Sequence, residues 1–263
     1  MKRLLVASAL LLLQFSLHAA PKKLLAIGEV KGYQHDSVSH ALATIERLGK
    51  DSGLWDTYIR TDSELITKKK LEGNAKNLDY FDAVLFFTTG ELAMDDSQKA
   101  DLLAFVAQEG KGFLGIHSAT DTFYKWPEYG EMIGGYFDQH PWNTFDAPVI
   151  VEDPKFPGMD AFDSSFVIKD EIYQIKNYSR DAVRVLMRLD PDKIDLANDK
   201  VHRSDRDFAV TWVKNYGKGR VYYSTLGHRE ESYDRPDVQK MYREAVKWVM
   251  GLTDADVTPR PLP

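Results

Sequence analysis

The chain contains no cysteine. That excludes structural disulfides, a lipid-modified N-terminal cysteine and any thiolate nucleophile. No stretch reaches the roughly 18 apolar residues of a membrane-spanning helix. The apolar run over residues 4–13 is shorter; preceded by Lys2 and Arg3 and followed by Ala19 and Ala20, it has the form of a secretory leader. Residues 1–20 are therefore expected to be a signal peptide, cut at about residue 19 or 20 although Leu17 or His18, not Ala, stands third before the cut. The short basic start suits a bacterial Sec leader, so a periplasmic or secreted location is expected, with no membrane span in the mature chain. Basic charge is also in deficit, with 34 Lys and Arg against 40 Asp and Glu. Losing Lys2 and Arg3 with the leader takes the formal charge from −6 to −8, and nucleic acid is not an expected partner. No linker, repeat or low-complexity segment divides the rest, so residues 21–263 are read as one domain. No G-x-G-x-x-G follows the first strand, so NAD is not supported.

What is present is an alternation of apolar strands and amphipathic helices. Residues 23–30, 55–61, 81–88 and 112–117 read as strands, 23–30 nearly continuously apolar and 81–88 rich in residues that suit a sheet buried on both faces. Residues 37–49 have helical spacing, and a second helix runs to about Gln108 with Asp96 or Ser97 as its N-cap and Gly110 as its stop. This order predicts a doubly wound, mostly parallel sheet with helices on both faces. The second half differs: 147–151, 166–176 and 183–189 read as strands without full helices between them, either extending the sheet or forming an attached layer. Residues 208–214 and 220–225 flank a glycine-rich hairpin turn, and a last helix spans about 236–250.

Ligands of open α/β sheets collect at the carboxyl ends of the parallel strands. There the first strand delivers His35 and Asp36, the third Glu91, the fourth His117, Ser118 and Asp121, and the strand over 220–225 leads into His228-Arg229-Glu230. A single histidine at a strand end is usually a structural, hydrogen-bonded residue; four strand ends that each supply a histidine, a carboxylate or both point to a shared pocket. His40 inside the first helix reads as structural and His202 as solvated, while His140 before Pro141 anchors a loop at the edge of the candidate site. Asp170-Glu171 precedes an alternating strand, so one carboxylate points into the cleft and the other toward solvent. Tyr124, Trp126, Tyr129 and Trp142 flank these strings. They either face sugar rings or staple loops beside Pro127 and Pro141.

The strings GYQHDS (32–37), FFTTGEL (86–92), GFLGIHSATDTFYKWPEYGEMIGGYFDQHP (112–141), DEIYQ (170–174) and TWVKNYGKGRVYYSTLGH (211–228) resemble the ThuA-like, trehalose-utilisation family over nearly the whole mature chain. The resemblance implies a flavodoxin-like variant of the class I glutamine amidotransferase fold. In the amidotransferases the turn after this strand carries a nucleophilic Cys and a His-x-Glu follows a later strand. His117 stands in that turn here, and His228-Arg229-Glu230 echoes the partner pair, so glutamine hydrolysis is not expected.

The resemblance further implies disaccharide catabolism alongside a partner oxidoreductase that makes 3-keto sugars. The expected function is that of an exported protein acting on a glycoside or 3-keto sugar by isomerisation or glycosidic cleavage through acid–base chemistry. The alternative is a non-catalytic carbohydrate-binding protein on a degenerate amidotransferase-like scaffold. His117, His228, Glu91 and Asp121 are the candidate catalytic groups. His35, Asp36 and Ser118, together with Tyr124, Trp126, His140 and Glu171, are the candidate substrate-binding groups. A divalent metal is a candidate cofactor, with His35, His117 and His228 as its ligands; acid–base use without metal and a purely structural polar network stand beside that reading.

Overall fold

The computed structural model describes residues 20–262. Apart from Ala20, the expected leader lies outside the described residues. Among the described residues, no helix is long and apolar enough to cross a membrane.

A nine-stranded sheet forms the centre. Its first block contains β1 (Lys22–Ile27), β2 (Trp55–Arg60), β3 (Ala83–Phe86) and β4 (Gly112–Ile116), in the order β2-β1-β3-β4 and all parallel. Every residue of β3 and β4 is buried, which is why these segments are continuously apolar and do not alternate. Helices α1 (Ser37–Ser52) and α4 (Pro236–Val249) pack together on one face, and α2 (Asp96–Ala107) and α3 (Pro127–Ile133) on the other. Asp95, not Asp96 or Ser97, caps α2: its carboxylate accepts from Gln98 N at 2.7 Å while the Gln98 side chain accepts from Asp95 N. The capping residue must itself be extended, and Asp95 is; Asp96 already lies in the helix.

The remaining strands are β5 (Tyr136–Gln139), β6 (Thr144–Val151), β7 (Ser165–Glu171), β8 (Gln174–Lys176), β9 (Arg184–Leu189), β10 (Ala209–Tyr216) and β11 (Gly219–Ser224). β11 adds parallel to β4, and β10, β9, β6 and β7 follow it antiparallel to the far edge. The second half thus both extends the sheet and adds a layer, since β5 and β8 form a separate antiparallel ribbon. The β10–β11 turn is two residues, Gly217-Lys218; Gly217 has φ +58 and lies so close to the Ala107 backbone that a side chain there would collide with it. Residues 166–176 are not one strand. The chain leaves the sheet after Glu171, and buried Ile172 and Tyr173 turn it into β8, with Tyr173 N donating to Thr225 Oγ1 at 3.1 Å. Alternation alone does not reveal that change of partner. Neither α3 nor β5 was expected from the sequence.

Candidate functional site

Four strand ends converge on one cluster. His35 comes from the loop between β1 and α1, His117 from the end of β4, Glu171 from the end of β7 and His228 from the loop after β11. One ligand-type atom from each lies within 4.8 Å of all the others. His117 occupies the turn with φ +44, a left-handed conformation that costs a non-glycine residue energy and commonly marks function.

The ring of His117 is fully buried, and its Nδ1 lies 2.6 Å from Thr225 O. A carbonyl only accepts, so Nδ1 carries the proton and Nε2 presents a lone pair toward the cluster. Tyr173 OH stands 2.9 Å from that Nε2 and 3.3 Å from His35 Nε2. Glu171 Oε1 is 3.8 Å from His117 Nε2 and 3.4 Å from His228 Nδ1, and its Oε2 is 3.7 Å from His140 Nδ1.

Electrostatics keep the imidazoles neutral at pH 7. Burial, with help from His228 and His140, pushes His35 down to about 4. Burial also drives His117 well down, His35 adding to the effect and the Thr225 carbonyl opposing it. His228 is lowered by burial first, then by His140 and Arg229. Glu171 is raised by burial and by Asp170, against the pull of His140. Three neutral imidazoles and a carboxylate form a donor set suited to a first-row divalent ion, and the Thr225 contact is of the kind that orients a histidine for such a role. The residues therefore fit a metal.

Above the cluster opens a cavity of about 300 Å³, with His35, Glu171, Tyr173 and His228 at its floor and Tyr33, Asp121, Phe137 and His140 around it. Asp121, raised by burial, accepts from Tyr124 OH at 2.6 Å through Oδ1. Tyr33, Phe137 and Tyr173 were missed by sequence reasoning. For Tyr173 a signal existed: two residues after Glu171 in an extended stretch, it shares that residue's face.

Other expected site residues lie elsewhere. Glu91 is exposed and accepts from Lys125 N at 3.2 Å, away from the cluster. Asp36 is exposed in a neighbouring groove, where its charge acts on His228 only at a distance. Ser118 is buried behind the turn, outside the cavity lining. Trp126 is a core residue stacked on Tyr129 at 5.7 Å, and Tyr129 OH donates to Ala119 O. Trp142 Nε1 donates to Asp195 O. Glu230 is exposed, so the carboxylate beside His228 is Glu171, from another strand. Asp170 does not face solvent: it is fully buried because β7 delivers it to the Gly227 N–H and the Ser232 hydroxyl of the 227–232 loop.

The family model for ThuA, described as trehalose utilisation, matches residues 23–249. Among solved structures, a ThuA-like protein from Bacteroides uniformis is 22% identical with a TM-score of 0.70, over 88% of this chain and 93% of its own. One from Parabacteroides merdae is 17% identical with a TM-score of 0.67, over 92% and 93%. PurLQS from Thermotoga maritima is 16% identical with a TM-score of 0.50, over 87% and 99%. These likenesses agree with the ThuA-like and amidotransferase-like α/β fold. A comparison with curated proteins found no match.

Proposed function

We propose, from the premise that this chain belongs to the ThuA trehalose-utilisation family, that it is an exported carbohydrate-processing enzyme. Its centre is a divalent metal held by His35, His117, His228 and Glu171. The observation that carries this reading is the four-donor cluster at the carboxyl ends of the parallel strands, three of whose members, His35, Glu171 and His228, line a small cavity while His117 is buried beneath. The leader-like residues 4–13 support export, and N-terminal sequencing of the secreted or periplasmic protein, expected to begin just after residue 19 or 20, tests it.

The substrate class is a glycoside or a 3-keto sugar. When bound, the metal supplies a Lewis acid for a sugar carbonyl or hydroxyl oxygen. The chain's own groups do the rest. Tyr124 occupies Asp121 Oδ1 and leaves Oδ2 to take a proton from the carbon beside the carbonyl; for isomerisation Asp121 hands that proton back at the neighbouring position, and for elimination His140, also on the cavity lining, gives its own ring proton to the departing glycosidic oxygen. The outcome is isomerisation or elimination of the glycosidic oxygen. Phe137 and Tyr33 offer aromatic faces to the C–H side of a sugar ring.

The test is elemental analysis of the purified protein together with turnover of glucosides and their 3-keto forms, with and without a chelator. Near-stoichiometric metal and chelator-sensitive turnover are expected, both lost in His117→Ala. Turnover that survives His117→Ala overturns the proposed centre. Sugar binding without product under every condition assigns the protein to the non-catalytic alternative.

A further inference from the structure

Asp170 has no exposed surface and, among the described residues, no ion-pair partner, an expensive position for a carboxylate unless it is filled with hydrogen bonds. It is. Oδ1 accepts from Glu171 N at 2.9 Å, while Oδ2 accepts from Gly227 N at 2.8 Å and from Ser232 Oγ at 2.9 Å. The first bond holds the backbone of one cluster residue, Glu171. The second holds the residue directly before another, His228, and the third ties down the far end of the same loop.

These two segments are remote in the sheet: Glu171 ends edge strand β7, whereas Gly227 lies in the loop beyond β11, four strands away in the sheet order, and besides Asp170 the bond from Tyr173 N to Thr225 Oγ1 at 3.1 Å joins their neighbours. The amidotransferase pattern would place the carboxylate partner of His228 at Glu230, yet that residue is exposed. The carboxylate is instead imported from β7, and something must fix it against His228.

We infer that Asp170 is the positioning residue of the cluster, a carboxylate clamp that sets Glu171 Oε1 against His228 Nδ1 and so holds two of the four donors at ligating separation. It touches neither substrate nor metal. The inference rests on the metal-centre reading above.

The test is Zn²⁺ titration of the full-length metal-stripped protein, with the visible spectrum of the Co²⁺ form as a reporter of ligand geometry. In Asp170→Asn the amide nitrogen can only donate, so at whichever end it sits it opposes an N–H or O–H donor. Zn²⁺ affinity is expected to fall about 10- to 100-fold, the range for loss of an outer-shell partner, with an altered Co²⁺ spectrum. Ser232→Ala removes one of the three bonds, gives a smaller fall in the same direction, and carries the test should Asp170→Asn fail to fold. Asp153→Asn is the control for a merely structural buried carboxylate. Asp153 pairs with Arg184 at 2.7 Å and Arg260 at 3.1 Å away from the cluster, so its loss lowers stability and leaves Zn²⁺ affinity unchanged. Wild-type affinity and spectrum in folded Asp170→Asn or Ser232→Ala overturn the clamp while leaving the metal centre standing. A wild type that binds no metal overturns both.

Discussion

Acidifying the metal-stripped protein tests the electrostatics of the cluster through one residue. Folded His35 titrates at about 4, lowered mainly by burial, whereas an unfolded histidine titrates near about 6.5. As pH falls, the unfolded chain takes up the proton first. The contribution is therefore fully present above about 6.5 and is lost as pH falls toward about 4. A separation of about 2.5 pH units gives a loss of about 3 kcal/mol by pH 4. Other groups act in the same window. His117 shifts in the same direction, but Asp170, pushed up to about 6 by burial, holds its proton more tightly when folded and opposes the loss between about 6 and about 4. The absolute stability curve mixes these effects, whereas the difference between wild type and His35→Asn isolates His35. Urea unfolding of both proteins between about pH 7 and pH 4 should show the wild type's advantage shrinking by about 3 kcal/mol. An advantage that stays constant or grows on acidification refutes a buried, neutral His35.

Gly227 has φ +124, and a side chain there would overlap Tyr233 OH. Gly227→Ala is expected to cost at least about 1–3 kcal/mol from backbone strain and to weaken Zn²⁺ binding, because His228 follows directly; thermal melts and metal titration read the two effects separately. Trp212 is fully buried, packs at a tilt against Tyr223 with ring centroids 4.3 Å apart and donates to Ile133 O at 2.8 Å, so Trp212→Ala should cost about 3–5 kcal/mol in urea unfolding. Asp95→Ala removes the capping box of α2 and should lower the unfolding midpoint slightly in the same assay, with no change in metal affinity.

The sequence by itself determined the strand and helix alternation of the first half, because a strand buried on both faces must be continuously apolar and a helix between strands must be amphipathic. It also determined that His117 stands in a strand-to-helix turn without a thiol. His35 and His228 were legible for the same reason: each follows a parallel strand, and parallel strands in one sheet end on one side. Only the tertiary structure decided which carboxylate joins them. Glu91 follows a parallel strand as well, but its side chain turns outward, and which way a loop residue points depends on contacts made elsewhere. Glu171 arrives at the end of a strand that reaches the site through four antiparallel additions beyond β4 and β11, with Tyr173 in the link that follows, and strand partnership across so many residues leaves no local mark. Trp126 shows the same limit from the other side: an aromatic residue beside the site strings has the same composition whether it faces a sugar or, as here, stacks in the core on Tyr129.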